Sequence, residues 1–537
     1  MVLPSPLAPL WPSWQTEWIR HQDADLLAID KPAGMASQPD APGQRDDACS
    51  RLGAWLGEHE GAAAALGIVQ RLDRLASGLV VYGRSKRATR ALSEAFNRGV
   101  PRSYLCGVEG LGRLGALGSR AGLRHRVIDR SGPRLLVEIT TAHRRHRIRE
   151  QLAELGAPLG GDVANGGPPA PRLMLHLGAL ALSHPADGRP LALSSPPPGA
   201  FAAWLRAGAD VTSDAPSLAL ALSAAAGRRF ALARQPDTDT FRLCHGAGDG
   251  VPGVTVDRYG DWLVAGLVEP ATERRELVLD ALASLGARGV YLKLPPRSAR
   301  RLEPAQLGEL APPLPVRGEP APALFEVREH GLRFGVSLGD GLSTGLFLDQ
   351  RANRQRVRAA AHGRRVLNLF AYSGSFTVAA IAGRAAATVT VDVSRKALDR
   401  AASNIAALGA QPGDHRLERA DAAEWLERAA RRGERFDLVV LDPPSFATTK
   451  HARFAAAEDF GRLASSCLRC LAPGGQLLAC TNHRGLRHGR LAEQLAGLAA
   501  ALGCRVRRLE HLPAPVDFPP PPGEECHLKA FWLELEG

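Results

Sequence analysis

The segment QRLDRLASGL, residues 70–79, contains one carboxylate, Asp73, between Arg71 and Arg74. The neighbouring guanidinium groups favour the ionised form of that carboxylate, and an ionised carboxylate can act as a nucleophile. An Arg-Leu-Asp-Arg tetrapeptide is also common as a surface ion pair. These residues alone therefore leave two interpretations open, a nucleophile or a paired surface acid.

A second set of residues, in the C-terminal half, has the spacing of a nucleotide-type cofactor site. The segment NLFAYSGSF runs from an apolar stretch into a glycine turn and a helix, where backbone N–H groups can approach an adenosine cofactor. Asp392 ends the next apolar stretch about twenty residues later, where an acid can bind ribose hydroxyls. Asp421 occupies a third strand end, and Asp442 begins the stiff loop DPPSF after a fourth. The candidate cofactor-binding residues are Asn368, Phe370, Tyr372, Gly374, Ser375, Phe376, Asp392, Asp421 and Asp442.

These residues require elements that position them, and the sequence predicts a multidomain protein with both α+β and α/β parts. Residues 1–205 combine short strand-like runs with helices, which predicts a mixed-sheet α+β domain. A Pro, Ser and Asp-bearing connection at 206–217 is expected to be a linker, and residues 218–335 are expected to form a small α/β accessory domain. Residues 336–537 alternate strands and helices regularly, which predicts a doubly wound, Rossmann-like sheet.

One helix of the first domain can be read in detail from SKRATRALSEAFNRG. Ser85 is placed to cap its N-terminus, and Gly99 is placed to end it. Ala88, Leu92 and Phe96 recur at helical spacing. The segment therefore predicts an amphipathic helix with a basic outer face.

Composition limits the function further. The chain has 537 residues, with 45% hydrophobic and 23% charged residues and a net charge of +12, which suits a polyanionic partner. No apolar run reaches the roughly 18 residues of a membrane span, and the N-terminal segment lacks the basic cluster of a signal peptide. We therefore expect a cytoplasmic protein without a membrane partner. The eight cysteines lack the paired spacing of a zinc site, so no metal is expected.

The segment around Asp73 resembles the signature of the ribosomal large-subunit pseudouridine synthase family, H-R-L-D-x-x-T-S-G. Gln70 and Ala76 depart from that signature, and the matching positions are Arg71, Leu72, Asp73, Ser77 and Gly78. Further blocks follow in the family's order: LLAIDKPAG, VPRSYLCGVEG with Tyr104, HRRHRIREQ with Arg144, His146 and Arg149, and RLMLHLGALALSHP.

The resemblance implies roles for four residues and covers about residues 20–195. Asp73 would be the carboxylate that drives uridine isomerisation, and Arg71 would fill the space left by a flipped uridine. Tyr104 would pack on the base, and Arg149 would pair with Asp73. The family needs no cofactor for this reaction.

The C-terminal half resembles class I S-adenosylmethionine-dependent methyltransferases, and large-subunit rRNA methyltransferases in particular. The resemblance rests on the segments TGLFLDQRANR, NLFAYSGSF, VDVS and LDPPSF, and it implies S-adenosylmethionine as cofactor. Pro443, Pro444, Phe446 and Asn482 are the expected substrate-binding residues. A dinucleotide-binding dehydrogenase is disfavoured, since the sequence has no G-x-G-x-x-G at this turn.

The methylated base depends on a thiol, because cytosine-C5 relatives use a cysteine to attack C6. Alignment places Asn482 at their thiol position, with Cys480 two residues earlier. The segments CTNHRG and LPAPVDFPPPPGEECH instead resemble guanine-N7 relatives. We therefore expect a bifunctional enzyme acting on large-subunit (23S) rRNA, which forms pseudouridine and methylates guanine N7. The alternative is a methyltransferase, for guanine N7 or cytosine C5, with a catalytically inactive, RNA-binding N-terminal domain.

Overall fold

The computed structural model describes residues 5–537 except 12–13, 40–46, 62–65, 111–123, 142–147, 169, 171, 208–211, 213, 297–303, 410–412, 445, 449–452, 484 and 522–523. Within this part of the chain, no helix is long and apolar enough to cross a membrane.

Strands β1–β9 of the N-terminal domain form one mixed sheet in the order β1-β2-β4-β8-β5-β7-β6, with β3 beside β4 and β9 beside β8. The strands are β1 Ile19–Gln22, β2 Leu26–Lys31, β3 Gly67–Ile68, β4 Ser77–Gly83, β5 Arg102–Glu109, β6 Arg124–Ser131, β7 Arg134–Thr141, β8 Leu175–Ser183 and β9 Pro190–Ser194. The helices are α1 Ala48–Glu60, α2 Lys86–Arg98, α3 Ile148–Glu154 and α4 Gly199–Ala207.

Helix α2 confirms the expected amphipathic helix. The Ser85 hydroxyl accepts a hydrogen bond from the Ala88 N–H at 3.1 Å, which is an N-cap contact. Ala88, Leu92 and Phe96 are its buried residues, and Gly99 is the C-cap.

The accessory domain contains a sheet ordered β10-β11-β12-β13-β14. Its strands are β10 Thr240–His245, β11 Val254–Tyr259, β12 Trp262–Leu267, β13 Gly289–Lys293 and β14 Arg317–Gly318, and its helices are α5 Ala215–Arg228, α6 Phe230–Ala233, α7 Arg275–Ala283 and α8 Pro304–Leu310. Because side chains alternate along a strand, the sheet presents two different faces. Val254 and Val256 of β11 enter one hydrophobic core, and Tyr259 enters another.

The segment expected to be a linker, 206–217, is partly helical. Helix α4 extends to Ala207, and α5 begins at Ala215. Asp214 caps α5 by accepting a hydrogen bond from the Ser217 N–H at 2.8 Å. The sequence pattern overestimated the linker because an Asp-Ala-Pro segment reads as a turn although it also begins a helix.

One hydrophobic core joins the N-terminal domain to the accessory sheet. It contains Leu27 and Tyr82 of the first sheet, Leu222 of α5, and Phe241 and Val256 of the accessory sheet, all with no exposed surface. These two domains therefore share their interior.

The C-terminal domain is built on a sheet with the order β19-β18-β17-β20-β23-β25-β24. Its strands are β17 Arg365–Leu369, β18 Ala387–Asp392, β19 His415–Arg419, β20 Phe436–Leu441, β23 Leu471–Thr481, β24 Val506–Leu512 and β25 Lys529–Leu535. Strands β17–β20 and β23 pair in parallel, whereas β25 is antiparallel to both of its neighbours. The helices are α9 Arg351–Ala360, α10 Ser375–Ala382, α11 Arg395–Ala406, α12 Ala422–Arg431, α13 Ala456–Arg469 and α14 His488–Ala501. The expected doubly wound sheet is confirmed.

Two hairpins accompany this sheet: β15 Phe325–Glu329 with β16 Leu332–Val336, and β21 Phe446–Thr448 with β22 Arg453–Ala455. The first hairpin packs Val327 and Phe334 into a core that also contains Val366 and Leu438. The expected boundary between residues 335 and 336 therefore cuts β16, whose pattern alone does not reveal which core it enters.

Candidate active sites

A cavity of about 390 Å³ lies at the carboxyl ends of β17, β18 and β20. This is the edge where doubly wound sheets bind ligands. Among the predicted residues, its lining includes Phe370, Tyr372, Ser375, Phe376, Asp392, Asp421, Asp442, Pro443, Pro444 and Asn482.

The loop between β17 and α10 has an unusual backbone that Asp392 holds in place. Phe370 and Tyr372 both have positive φ, 54° and 48°, which is costly for residues with a Cβ. One Asp392 oxygen accepts a hydrogen bond from the Tyr372 N–H, and the other accepts one from the Ser394 N–H, both at 2.8 Å. Asp392 therefore orders this loop as well as lining the cavity.

Two predicted cofactor-binding residues do not line the cavity. Asn368 is almost fully buried, and its amide donates to the Thr377 hydroxyl at 3.0 Å. Gly374 has a φ of 72°, and a Cβ at this position would lie 2.8 Å from the Cβ of Ala401. Both residues instead support the turn by packing within it. The sequence did not show this for Asn368, because strand β17 is buried on both faces and its apolar pattern does not reveal which side chain faces a ligand.

Asp421 lines the cavity but does not end a strand as expected. Strand β19 ends at Arg419, and Asp421 caps helix α12. Its carboxylate accepts hydrogen bonds from the Ala423 and Glu424 N–H groups at 2.9 and 3.2 Å. Strand and cap lie two residues apart, which is within the usual uncertainty of an element boundary.

Asp442 lies at the cavity wall near a second carboxylate, Asp349. Its carboxylate accepts a hydrogen bond from the Gln350 amide at 2.8 Å. Burial, followed by repulsion from Asp349, raises the pKa of Asp442 to about 7. Perturbed carboxylates of this kind concentrate at functional sites.

Sequence reasoning missed the cavity residues that precede β17. Phe347, Asp349 and Gln350 all line it, and they belong to the segment TGLFLDQRANR. That segment carried the family resemblance, so it was the signal that could have identified them.

The predicted substrate-binding residues divide into two groups. Pro443, Pro444 and Asn482 line the cavity. Phe446 begins strand β21, but its side chain lies outside the described part of the structure. Asn482 also lines a second cavity, of about 480 Å³.

Cys480, the thiol nearest to Asn482 in the chain, is fully buried. Its Sγ lies 3.8 Å from Gln350 Oε1 and 3.9 Å from Asn353 Nδ2. Burial, reinforced by the charge of Asp442, raises the pKa of the Cys480 thiol well above its usual value. The thiolate form that a nucleophile requires is therefore disfavoured.

In the N-terminal domain, Asp73 forms the expected ion pair with Arg149. Arg149 Nη1 donates to Asp73 Oδ2 at 2.9 Å, while Nε and Nη2 donate to the two oxygens of Asp162 at 2.8 and 2.6 Å. Burial alone would raise the pKa of Asp162, but the hydrogen bonds from Arg149 outweigh it and lower that pKa. The buried Asp162 thus fixes the arginine that orients the half-exposed Asp73.

Tyr104 and Arg71 differ in exposure. Tyr104 is 7% exposed at the base of the site. Burial raises the pKa of its phenol, and Arg102 opposes part of that shift. Arg71 is exposed beside Asp73. Arg144 and His146 lie outside the described residues.

The Asp73 turn is well supported despite the departures at Gln70 and Ala76. The Gln70 amide donates to the Leu79 carbonyl at 2.9 Å, and the Ala76 N–H donates to the Asp73 carbonyl at 3.0 Å. The buried Lys31 ammonium donates to the Ala76 carbonyl at 2.7 Å. Hydrogen bonds to backbone carbonyls therefore close the turn without the family's threonine.

Asp23, Asp25 and His184 form a group that could hold a metal ion by geometry alone. Asp23 already accepts hydrogen bonds from the Asp25 and Leu26 N–H groups and lies 2.9 Å from His184 Nε2. These contacts account for the group as a structural one, and it carries no functional assignment.

The doubly wound sheet and the cavity at its carboxyl edge define an S-adenosylmethionine-dependent methyltransferase, and the family model of that description matches residues 311–531. The RNA pseudouridylate synthase model matches residues 25–154. The chain is 37% identical over 325 residues to the "Ribosomal RNA large subunit methyltransferase" of Deinococcus radiodurans, covering 59% of this chain and 78% of that relative. It therefore belongs to the ribosomal RNA large subunit methyltransferase family.

Other similarities agree with this assignment. The "Ribosomal RNA large subunit methyltransferase I" of Erwinia tasmaniensis is 35% identical over 258 residues, which cover 48% of this chain and 64% of that relative. A solved methyltransferase structure in complex with S-adenosylhomocysteine (SAH) has a TM-score of 0.55 at 25% identity, covering 67% of this chain and 88% of that one. The cofactor of the C-terminal domain is S-adenosylmethionine.

Proposed function

We propose that the C-terminal domain methylates guanine N7 in large-subunit rRNA and that the N-terminal domain isomerises a uridine in the same RNA. The observation that carries the first part is the pair Asn482 and Cys480. An amide lines the cofactor cavity where cytosine-C5 enzymes place a thiol, and the nearby thiol is buried with a raised pKa.

Guanine N7 is already a ring nucleophile, so its methylation requires positioning and no covalent activation. S-adenosylmethionine, when bound, supplies the methyl group. Asp392 holds the loop that shapes the cavity, and Asp442 and Asn482 line it. The net charge of +12 supports an RNA substrate.

The second part of the proposal is supported by the Asp73, Arg149 and Asp162 arrangement. In this proposal the Asp73 carboxylate drives cleavage of the bond between C1′ and N1 of the uridine. The base then rotates, a bond forms between C1′ and C5, the C5 proton leaves and N1 gains a proton. Tyr104 packs below the site, where it can contact the flipped base.

The methyltransferase proposal is tested with full-length protein, labelled S-adenosylmethionine and large-subunit rRNA from a strain lacking the enzyme. Mass spectrometry of the nucleosides should detect 7-methylguanosine, and Asp442→Ala should abolish it. Cys480→Ala should retain methylation. Cys526 lines the neighbouring cavity, so Cys526→Ser is assayed as well. Formation of 5-methylcytidine, lost in either cysteine variant, would contradict the guanine assignment.

The isomerase proposal is tested by tritium release from rRNA labelled at uridine C5. Wild type should release tritium, and Asp73→Asn should not, while both retain methylation. Equal release by the two proteins would favour the alternative, in which the N-terminal domain binds RNA and is catalytically inactive.

A further inference from the structure

The 480 Å³ cavity lies between the accessory sheet and the C-terminal domain, and it adjoins the cofactor cavity. Phe347, Asp349 and Asn482 line both cavities. Its volume falls within the range of small-molecule sites, about 300–1,000 Å³. A group bound there would meet a cofactor held in the first cavity at these shared residues.

The accessory sheet contributes a polar wall to this cavity. Along β11, Val254 and Val256 enter the core shared with the N-terminal domain, whereas Thr255 and Asp257 face the cavity. This alternation follows from the two faces of a strand. The polar residues are therefore displayed by a rigid sheet that is packed from behind.

Arg242 and Asp257 lie directly opposite each other on β10 and β11. Arg242 Nε and Nη2 donate to the two Asp257 oxygens at 2.7 and 2.9 Å. A carboxylate offers about four lone-pair sites, so Asp257 keeps acceptor capacity for two further donors.

His245 supplies a donor beside this carboxylate. Arg242 Nη1 lies 2.9 Å from His245 Nδ1, and because a guanidinium can only donate, Nδ1 accepts and the ring proton resides on Nε2. Burial, together with the charge of Arg242, lowers the pKa of His245 to about 4. Asp257 and His245 therefore give this wall two acceptor sites and one neutral N–H donor.

This pattern matches the Watson–Crick edge of guanine, which offers the N1–H and N2 amino donors next to the O6 acceptor. Cytosine offers one donor group on that edge, its N4 amino group, beside two acceptors. In guanine, N7 lies on the neighbouring Hoogsteen edge, next to O6. A guanine held by its Watson–Crick edge would keep N7 free of the contacts with Asp257 and His245.

We propose that this cavity binds the acceptor guanine, flipped out of the RNA, with Asp257 accepting from N1–H and N2 and His245 donating to O6. The assignment rests on the proposed guanine-N7 activity and makes the accessory domain its specificity element. Phe347 is 52% exposed at the shared mouth and lies 5.4 Å from the Tyr372 ring. Its free face can stack on the base.

The test is a double-mutant cycle between Asp257 and the N2 amino group. The target guanosine, located by nuclease digestion and mass spectrometry, is replaced by inosine, which lacks that group. Inosine should lower kcat/KM of wild type by about tenfold or more. The kcat/KM of Asp257→Asn on guanosine should be reduced about as much as that of wild type on inosine. Replacing guanosine by inosine should then lower the kcat/KM of this variant little further. Its affinity for S-adenosylmethionine should remain unchanged.

The matched control is Asp261→Asn, an aspartate at the end of the same hairpin that pairs with Arg288 and does not line the cavity. It should show the full inosine penalty. If Asp257→Asn loses cofactor affinity through misfolding, His245→Phe gives a second cycle with 2-aminopurine, which lacks O6.

The outcomes separate the two proposals. An inosine penalty that is equal in wild type and Asp257→Asn overturns the assignment of this cavity and leaves guanine methylation intact. In the second cycle, an equal loss of kcat/KM on 2-aminopurine in wild type and His245→Phe also overturns the assignment of this cavity and leaves guanine methylation intact. The absence of 7-methylguanosine from all reactions overturns the proposed activity, and the cavity assignment fails with it.

Discussion

At the scale of single residues, the N-terminal site contains a second carboxylate, Asp162, which binds the same arginine as Asp73. Asp162 is fully buried and binds two nitrogens of Arg149, which leaves the third nitrogen to contact Asp73. Removing one partner of a buried pair leaves the other charge uncompensated. Asp162 therefore acts as a positioning residue for the proposed reaction.

We predict that Asp162→Asn lowers the rate of tritium release by about tenfold to a hundredfold, because Arg149 would no longer be fixed. The matched control is Glu109→Gln, which removes the partner of Arg134 at 3.0 Å on the same sheet. The control should keep the wild-type rate. A wild-type rate in Asp162→Asn would show that Arg149 orients Asp73 without help.

Asp442 leads to a pH prediction. Its pKa is raised to about 7, mainly by burial, so the folded state holds this proton more tightly than the unfolded state does. Stability should therefore fall as pH rises from about 4 to about 7, by at most about 1.4 kcal/mol per pH unit from this group. Denaturant unfolding of wild type and Asp442→Asn at several pH values measures this effect. As pH rises, the free energy of unfolding of the variant should increase relative to that of wild type. A difference independent of pH would contradict the raised pKa.

Some of these residues were readable from the sequence and others were not. Asp73, Asp392 and Asp442 stand next to local signals, a flanking pair of charges or the end of an apolar strand. The assignment of Asn368 to the cofactor stays a prediction, and its buried side chain does not line the cavity. Both faces of a central parallel strand are apolar, so the pattern does not show which side chain faces a ligand. Asp257 and Phe347 line the same cavity only in the folded chain. A local sequence pattern does not indicate a cavity between domains.

At the scale of elements, the turn between β17 and α10 combines left-handed residues with close packing against α11. Gly374 has a φ of 72°, and its missing Cβ leaves room for Ala401. Gly363 has a φ of 68° with no atom within 4 Å of an added Cβ. An added Cβ would strain the backbone at both positions, but it would meet a close neighbour only at Gly374. Comparing substitutions at the two positions therefore separates the free-energy cost of backbone strain from that of the steric clash.

We predict that Gly363→Ala costs about 1–2 kcal/mol of stability, which is the penalty of a left-handed residue with a Cβ. Gly374→Ala should cost more and should also weaken S-adenosylmethionine binding, because α11 or the loop must move. Chemical denaturation and calorimetric titration measure the two effects. Equal effects of both variants on binding would argue against this packing contact.

The regular elements were easier to predict than their partners in space. Helix α2 and the strands of the C-terminal sheet follow from period and caps. The predicted boundary after residue 335 placed most of the hairpin β15–β16 in the accessory domain. The packing of this hairpin with Val366 and Leu438 is a tertiary contact that cannot be predicted from the local sequence pattern.

At the scale of the whole molecule, the accessory sheet packs against the N-terminal domain on one face and against the C-terminal domain on the other. Phe241 packs with Trp11 at a ring distance of 5.5 Å and shares a core with Tyr82 of β4. Asp517 of the C-terminal domain accepts from the Arg242 N–H at 2.9 Å and from Arg351 Nη1 at 2.8 Å. These contacts join the three parts of the chain.

We predict that Phe241→Ala costs about 3–5 kcal/mol and speeds hydrogen exchange in β4 as well as in β11. Phe334→Ala, in the other core, is the matched control and should speed exchange in the C-terminal domain while β4 stays protected. Mass spectrometry of exchanged peptides measures both. Unchanged protection of β4 in Phe241→Ala would mean that the N-terminal domain folds without the accessory sheet.

The core that Tyr82 and Phe241 share also has a consequence for the RNA. That core packs one face of the accessory sheet, and a core of the C-terminal domain packs the other face, so the two proposed reaction centres are linked through this sheet. If both proposed activities act in one encounter, the RNA must present its uridine and its guanine at the separation that this packing sets, and a precursor folded otherwise would have to dissociate and bind again between the two reactions. The geometry of the RNA would then determine whether the two proposed reactions occur in one binding event or in two.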